Sequence, residues 1–200
     1  MSDAHLPADP RPDAEIAVVS AETLLDKARA RGLRVATAES CTGGLVAGAI
    51  TEIVGASDVF DRGFVTYSNA AKRQMLGVRR ESLETHGAVS EQVAREMADG
   101  ALARSEADLA VSVTGIAGPG GSERKPEGRV CFGVARRGHL TVTKTVDFGA
   151  LGRVAVRQSA VNHALELLIA GLDEARPPRD RLNRPAPDRT GGTSGGGTTV

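Results

Sequence analysis

The chain has 200 residues, with 25 basic and 25 acidic side chains, 40% hydrophobic content, four Phe, one Tyr and no Trp. That length suits one domain with a real core. Zero net charge and so few aromatic rings exclude the basic footprint and the stacking platforms by which proteins hold nucleic acid.

From the N-terminus, residues 1–12 carry Pro7, Pro10 and Pro12 and read as a disordered tail. Residues 14–31 show helical spacing and stop at Gly32, a C-terminal capping glycine. Leu33–Ala38 reads as a short buried strand. Thr42–Val54 reads as a helix with Val46, Ala49, Ile50 and Ile53 on one face. Val59–Tyr67 is a second strand, followed by a short helix over Asn69–Leu76 capped by Ser68 or Asn69, and Ser90 caps a helix carrying Val93, Met97 and Ala101. Asp108–Gly115 is apolar and β-branched, the pattern of a central strand, and opens into a glycine-rich loop, Gly115–Gly128. Val130–Ala135 and Leu140–Phe148 form a hairpin through Arg136, Arg137 and Gly138, and a helix over Leu151–Leu172 closes the domain. Residues 173–200, with four prolines and a glycine-rich end, read as a second disordered tail. Helices alternating with buried strands, plus one hairpin, predict a three-layer α/β/α sandwich with a mixed β-sheet, a single domain over 13–172.

Cys41 and Cys131 lie 90 positions apart with no CxxC or Cys/His cluster, so neither a disulfide framework nor a metal site is expected. The acidic, proline-containing start is unlike a signal peptide, and no apolar run reaches the ~18 residues of a membrane span. A cytoplasmic protein with no membrane partner is the expectation.

Three segments could carry chemistry. In Thr37-Ala38-Glu39-Ser40-Cys41-Thr42-Gly43-Gly44 a strand turns into a helix, and the amides there can hold an anion or a developing oxyanion, with Ser40 exposed at the apex as nucleophile. The same residues also suit a plain helix cap, with Ser40 or Thr42 as its side chain. In Phe64-Val65-Thr66-Tyr67-Ser68-Asn69-Ala70-Ala71-Lys72, Lys72 is one of four lysines against 21 arginines and follows the chain's single tyrosine. A lysine serves as general base when burial or a helix N-terminus lowers its pKa, and Ser with Lys is a known pairing for amide hydrolysis. A solvated lysine beside a core tyrosine is the competing reading. The third segment, Thr114-Gly115-Ile116-Ala117-Gly118-Pro119-Gly120-Gly121-Ser122 and on to Lys125-Pro126-Glu127-Gly128, lacks the endings of a P-loop or a dinucleotide fingerprint, and suits a backbone brought close to phosphate or ribose. His86 fits a turn better than a catalytic role, and Glu39 is the acid placed to orient Lys72 or bind a hydroxyl.

Taken in order, TAESCTGG, FVTYSNAAK, HGAVSE and SVTGIAGPGGSERKPEG resemble the C-terminal domain of the competence-damage-inducible CinA family, over about residues 15–170. The resemblance implies a nicotinamide-nucleotide amidase in stand-alone form, which takes a small-molecule nucleotide, needs no metal or other cofactor, and forms a homodimer. It implies Ser40 as nucleophile and Lys72 and Tyr67 as base and proton-relay partners. The amides of Cys41, Thr42, Gly43 and Gly44 then form the anion-binding turn, and Glu39, Thr114, Gly115, Gly118, Gly120, Gly121 and Lys125 line the substrate. Glu127 stands where the family pattern favours an apolar residue. Cys41 as nucleophile, and a non-catalytic module binding a pyridine nucleotide or ADP-ribose, are the alternatives.

Overall fold

Val35–Glu39 (β1) is buried at all five positions and Leu109–Gly115 (β3) at its first six. Strands buried on both faces belong at the centre of a sheet covered by helices on each side. The computed structural model, which describes residues 12–122 and 125–174 and only the backbone of 12–19, has that arrangement. β1 pairs in parallel with β3 and with Phe60–Val65 (β2); Arg129–Arg136 (β4) pairs antiparallel with β3, and Val142–Asp147 (β5) antiparallel with β4. The order is β2-β1-β3-β4-β5, a mixed five-stranded sheet as expected.

Alternation along the strands divides the core in two. Val35, Val111, Val113, Val130 and Phe132 pack with Leu24, Leu25, Val46, Ile50, Ala160, Val161 and Leu165. Those partners come from Pro12–Arg31 (α1), Leu45–Thr51 (α2) and Arg153–Glu174 (α6). On the other face Ala36, Ala38 and Ala110 meet Leu76, Val93, Met97 and Ala101. These lie on Asn69–Leu76 (α3) and Glu91–Ala103 (α5), with Arg80–His86 (α4) against α5. The three small residues on this face let the helices sit close to the sheet. At Gly100 a Cβ would stand 2.0 Å from the Leu76 carbonyl oxygen, so only glycine lets α5 touch the end of α3.

Ser68 caps α3 by accepting from the Ala71 amide, and Ser90 caps α5 by accepting from Val93, both as expected. The sequence reading missed α4, whose N-cap position, Arg79, offers no side-chain cap. Glu96 on α5 holds it instead, accepting from Ser82, Gln92 and Arg79. His86, expected in a turn, is the last residue of α4. The predicted helix over Thr42–Val54 is shorter, because residues 41–44 form a turn first. The predicted domain borders at 13 and 172 fall inside α1 and α6; of the expected tails, residues 1–11 and 175–200 lie outside the described residues. No helix among the described residues is long and apolar enough to cross a membrane.

Candidate active site

Because β2, β1 and β3 run parallel, their carboxyl ends emerge at one sheet edge, where open α/β sheets hold ligands. The ends of these strands deliver the turn after Glu39, the Thr66–Tyr67 segment and the glycine loop after Gly115. Ser40 leaves β1 with its amide bonded to the Val113 carbonyl at 2.9 Å, so the nucleophile candidate is tied to the central strand.

Lys72 reaches this edge from α3. It is 1% exposed, the largest fully buried side chain of the described residues. Its Nζ donates to Ser40 Oγ at 2.8 Å and to the Thr66 carbonyl at 2.8 Å. Burial lowers its pKa from 10.5 to about 8, since the charged ammonium loses its hydration, while the nearby Cys41 thiol acts weakly in the opposite sense. A minor but usable fraction of this amine, about a tenth to a fifth, is therefore neutral near physiological pH, and in that fraction its lone pair accepts the Ser40 proton and the hydrogen bond reverses. The solvated-lysine reading is excluded by this burial.

Cys41 points the other way. Its side chain belongs to the core cluster under α6, and burial pushes its thiol up to about 11. A thiol held protonated is not an activated nucleophile, so the geometry favours Ser40 over Cys41.

The turn after Ser40 is shared out differently from expectation. Glu39, buried, is the cap of α2: its carboxylate accepts from the amides of Gly44, Val46 and Ala47 at 2.9, 3.1 and 2.8 Å. No Ser or Thr side chain caps α2, and no hydrogen bond joins Glu39 to Lys72. A carboxylate is the stronger partner for three aligned amides at a positive helix end, which is why it displaces the hydroxyls from that task. The Gly44 amide is thereby taken, and the Gly43 amide is bonded to the Ser40 carbonyl at 3.1 Å. Of the four amides expected to face an anion, those of Cys41 and Thr42 donate to no oxygen among the described residues; they lie beside the Cys41 sulfur and draw its pKa down.

Tyr67 does not stand between Ser40 and Lys72. It is 62% exposed and its hydroxyl accepts from Arg153 Nη2 at 3.0 Å, so the serine–lysine contact is direct. Thr114, expected in the nucleotide pocket, is buried and donates to the Ala88 carbonyl at 2.8 Å, which holds the 86–89 segment against β3. Lys125 donates to the carbonyls of His86 and Val89 in the same segment. Glu84, His86, Gly87, Ala88, Val89, Ile116, Ser122 and Lys125 enclose a cleft of about 420 Å³ at the same sheet edge. Gly115 continues β3, and Gly118, Gly120 and Gly121 lie in the turn beyond it.

Two arginines that the sequence reading passed over tie the site together from the first turns of α6. Arg153 donates to the Gly118 carbonyl as well as to Tyr67, and Arg157 donates to the carbonyls of Cys41 and Thr42 at 3.0 and 2.9 Å. The i, i+4 spacing that puts both on one helical face was visible, but their targets lie more than 80 positions away in places.

The fold and this edge define an α/β protein with a serine–lysine pair at the carboxyl ends of its parallel strands. The profile of the CinA C-terminal domain matches residues 18–172, and the chain belongs to that family. It is 57% identical over 141 residues to the nicotinamide-nucleotide amidohydrolase PncC of Escherichia coli strain K12, covering 70% of this chain and 85% of that protein. It is 52% identical over 149 residues to a CinA-like protein of Chloroherpeton thalassium, covering 71% of this chain and 36% of the longer relative. Among solved structures, the competence/damage inducible protein CihA of Agrobacterium tumefaciens superposes with a TM-score of 0.75 at 50% identity, over 84% of this chain and all of that one.

Proposed function

We propose that this chain is a nicotinamide-nucleotide amidohydrolase, converting nicotinamide mononucleotide and water to nicotinate mononucleotide and ammonia. The observation that carries it is the 2.8 Å contact between buried Lys72 and Ser40 in a chain of this family. Neutral Lys72 takes the Ser40 proton as Oγ attacks the carboxamide carbon. The oxyanion is held by the amides of Cys41 and Thr42. Protonated Lys72 returns its proton to the leaving nitrogen, ammonia departs, and an ester to Ser40 remains. Water attacks that ester with Lys72 again as base, which frees the carboxylate and regenerates Ser40. The Thr66 carbonyl holds Nζ in place throughout.

The nucleotide part of the substrate lies along the glycine loop and the adjoining cleft, with Lys125 and the loop amides as its neighbours. A non-catalytic binding module has no use for a lysine buried against a serine, and the direct contact favours the enzyme. A charged nucleotide substrate supports a cytoplasmic setting, and the family resemblance supports a homodimer, which light scattering of the purified protein tests. Ammonia release from nicotinamide mononucleotide, with free nicotinamide and NAD as controls, tests the activity; turnover of free nicotinamide alone overturns the substrate assignment.

A further inference from the structure

The carboxylate of Glu127 joins two segments that meet at the rim of the site. One oxygen accepts from the Gly120 amide at 2.6 Å and the other from the Gly152 amide at 3.2 Å. Gly118 lies directly against the same carboxylate: a Cβ there would stand 2.4 Å from Glu127 Cδ. Gly152 is the residue before α6, and its own carbonyl accepts from Val156 in the first turn. The negative charge therefore sits at the positive end of a 22-residue helix. The next residue is Arg153, which reaches back to the Gly118 carbonyl and to Tyr67, and one turn on Arg157 grips the turn after Ser40. Loop, helix start and Arg153 thus form a closed circuit in which Glu127 is the acidic side chain, while Arg157 holds the turn after Ser40 separately.

We propose that Glu127 is a positioning residue, setting the Gly118–Gly120 turn and the start of α6 in the arrangement that lets the rim receive the nucleotide. The inference rests on the amidase reading for its kinetic part. Ser40 and Lys72 are held independently, by the carbonyls of Val113 and Thr66. Loss of Glu127 therefore disturbs the rim and spares the reacting pair, so it falls on KM rather than kcat.

The test compares wild type, Glu127→Gln and Glu127→Ala in ammonia release from nicotinamide mononucleotide and in amide hydrogen exchange at Gly120 and Gly152. The alanine variant is expected to raise KM about 10-fold with kcat within about threefold, and to speed exchange at both glycines about 10-fold or more. Glutamine keeps the shape and one acceptor oxygen, so it recovers most of the lost KM. Unchanged exchange, unchanged KM, or a fall in kcat at constant KM overturns the proposal. Should the alanine variant not fold, glutamine decides: a KM rise of about threefold with faster exchange at either glycine supports the brace, and wild-type values for both overturn it. Absence of turnover in the wild type sinks the amidase reading alone, and the exchange data still judge the brace.

Discussion

Replacing Lys72 with methionine should cut turnover sharply and at the same time make the protein more stable near neutral pH, with a gain that disappears in alkali. The group is 1% exposed, and its pKa falls from 10.5 to about 8 on folding. Each pKa unit corresponds to about 1.4 kcal/mol, so carrying a protonated Lys72 into the core costs about 3 kcal/mol at pH 7. The sign follows from proton counting. Between pH 8 and 10.5 the unfolded chain binds more protons at this site than the folded one, so wild-type stability rises through that window; below it the difference is constant. Methionine fills a similar volume without charge but leaves the Thr66 carbonyl without its donor, a loss of about 1–3 kcal/mol that does not depend on pH. The net gain at pH 7 is then about 1 kcal/mol. It should shrink by about 2–3 kcal/mol on going from pH 7.5 to 10, ending as a deficit. Urea unfolding of both proteins at pH 7, 8, 9 and 10 reads this directly. A stability difference independent of pH would refute the reasoning, because packing alone cannot produce the slope. Catalytic loss in the same variant should reach at least about 100-fold.

Other outcomes follow from the same geometry. The wild-type kcat/KM should rise about tenfold per unit from pH 6 to 7 and level off above about 8, where Lys72 is neutral; a flat profile over that range argues against Lys72 as base. Ser40→Ala should lower kcat by about 1,000-fold or more while calorimetry still detects nucleotide binding. Cys41→Ala should keep kcat within about fivefold, and the reverse ranking would make the thiol the nucleophile. Glu39→Gln, which turns an amide NH2 toward three backbone donors, should cost about 2–4 kcal/mol in chemical denaturation and loosen the turn after Ser40; a loss below about 0.5 kcal/mol would show that the carboxylate is not the cap of α2.

Much of the framework was legible because it depends on neighbours in the chain. Ser68 and Ser90 cap helices whose first turns follow them directly, and the predominantly apolar, small and β-branched segments of β1 and β3 declare buried strands. Lys72 stood out by scarcity and by its place in the first turns of a helix. The short α4 was missed because its docking depends on Glu96, which follows it in the chain and approaches from another helix.

The sequence by itself determined the layers, the mixed character of the sheet and the candidate pair Ser40 and Lys72, while the strand directions that bring Ser40, Thr66 and the glycine loop to one edge came from the structure. Tertiary structure alone decided what those residues touch. It turned Glu39 onto the amides of α2, sent Tyr67 outward to Arg153, put Cys41 into the core and Ser40 against Lys72, and closed Glu127 onto Gly120 and Gly152. The physical reason is that capping and periodicity act within a turn or two of chain. The partner of a buried charge is chosen by which groups the packed layers bring within about 3 Å, and by the high cost of leaving any of them unpaired.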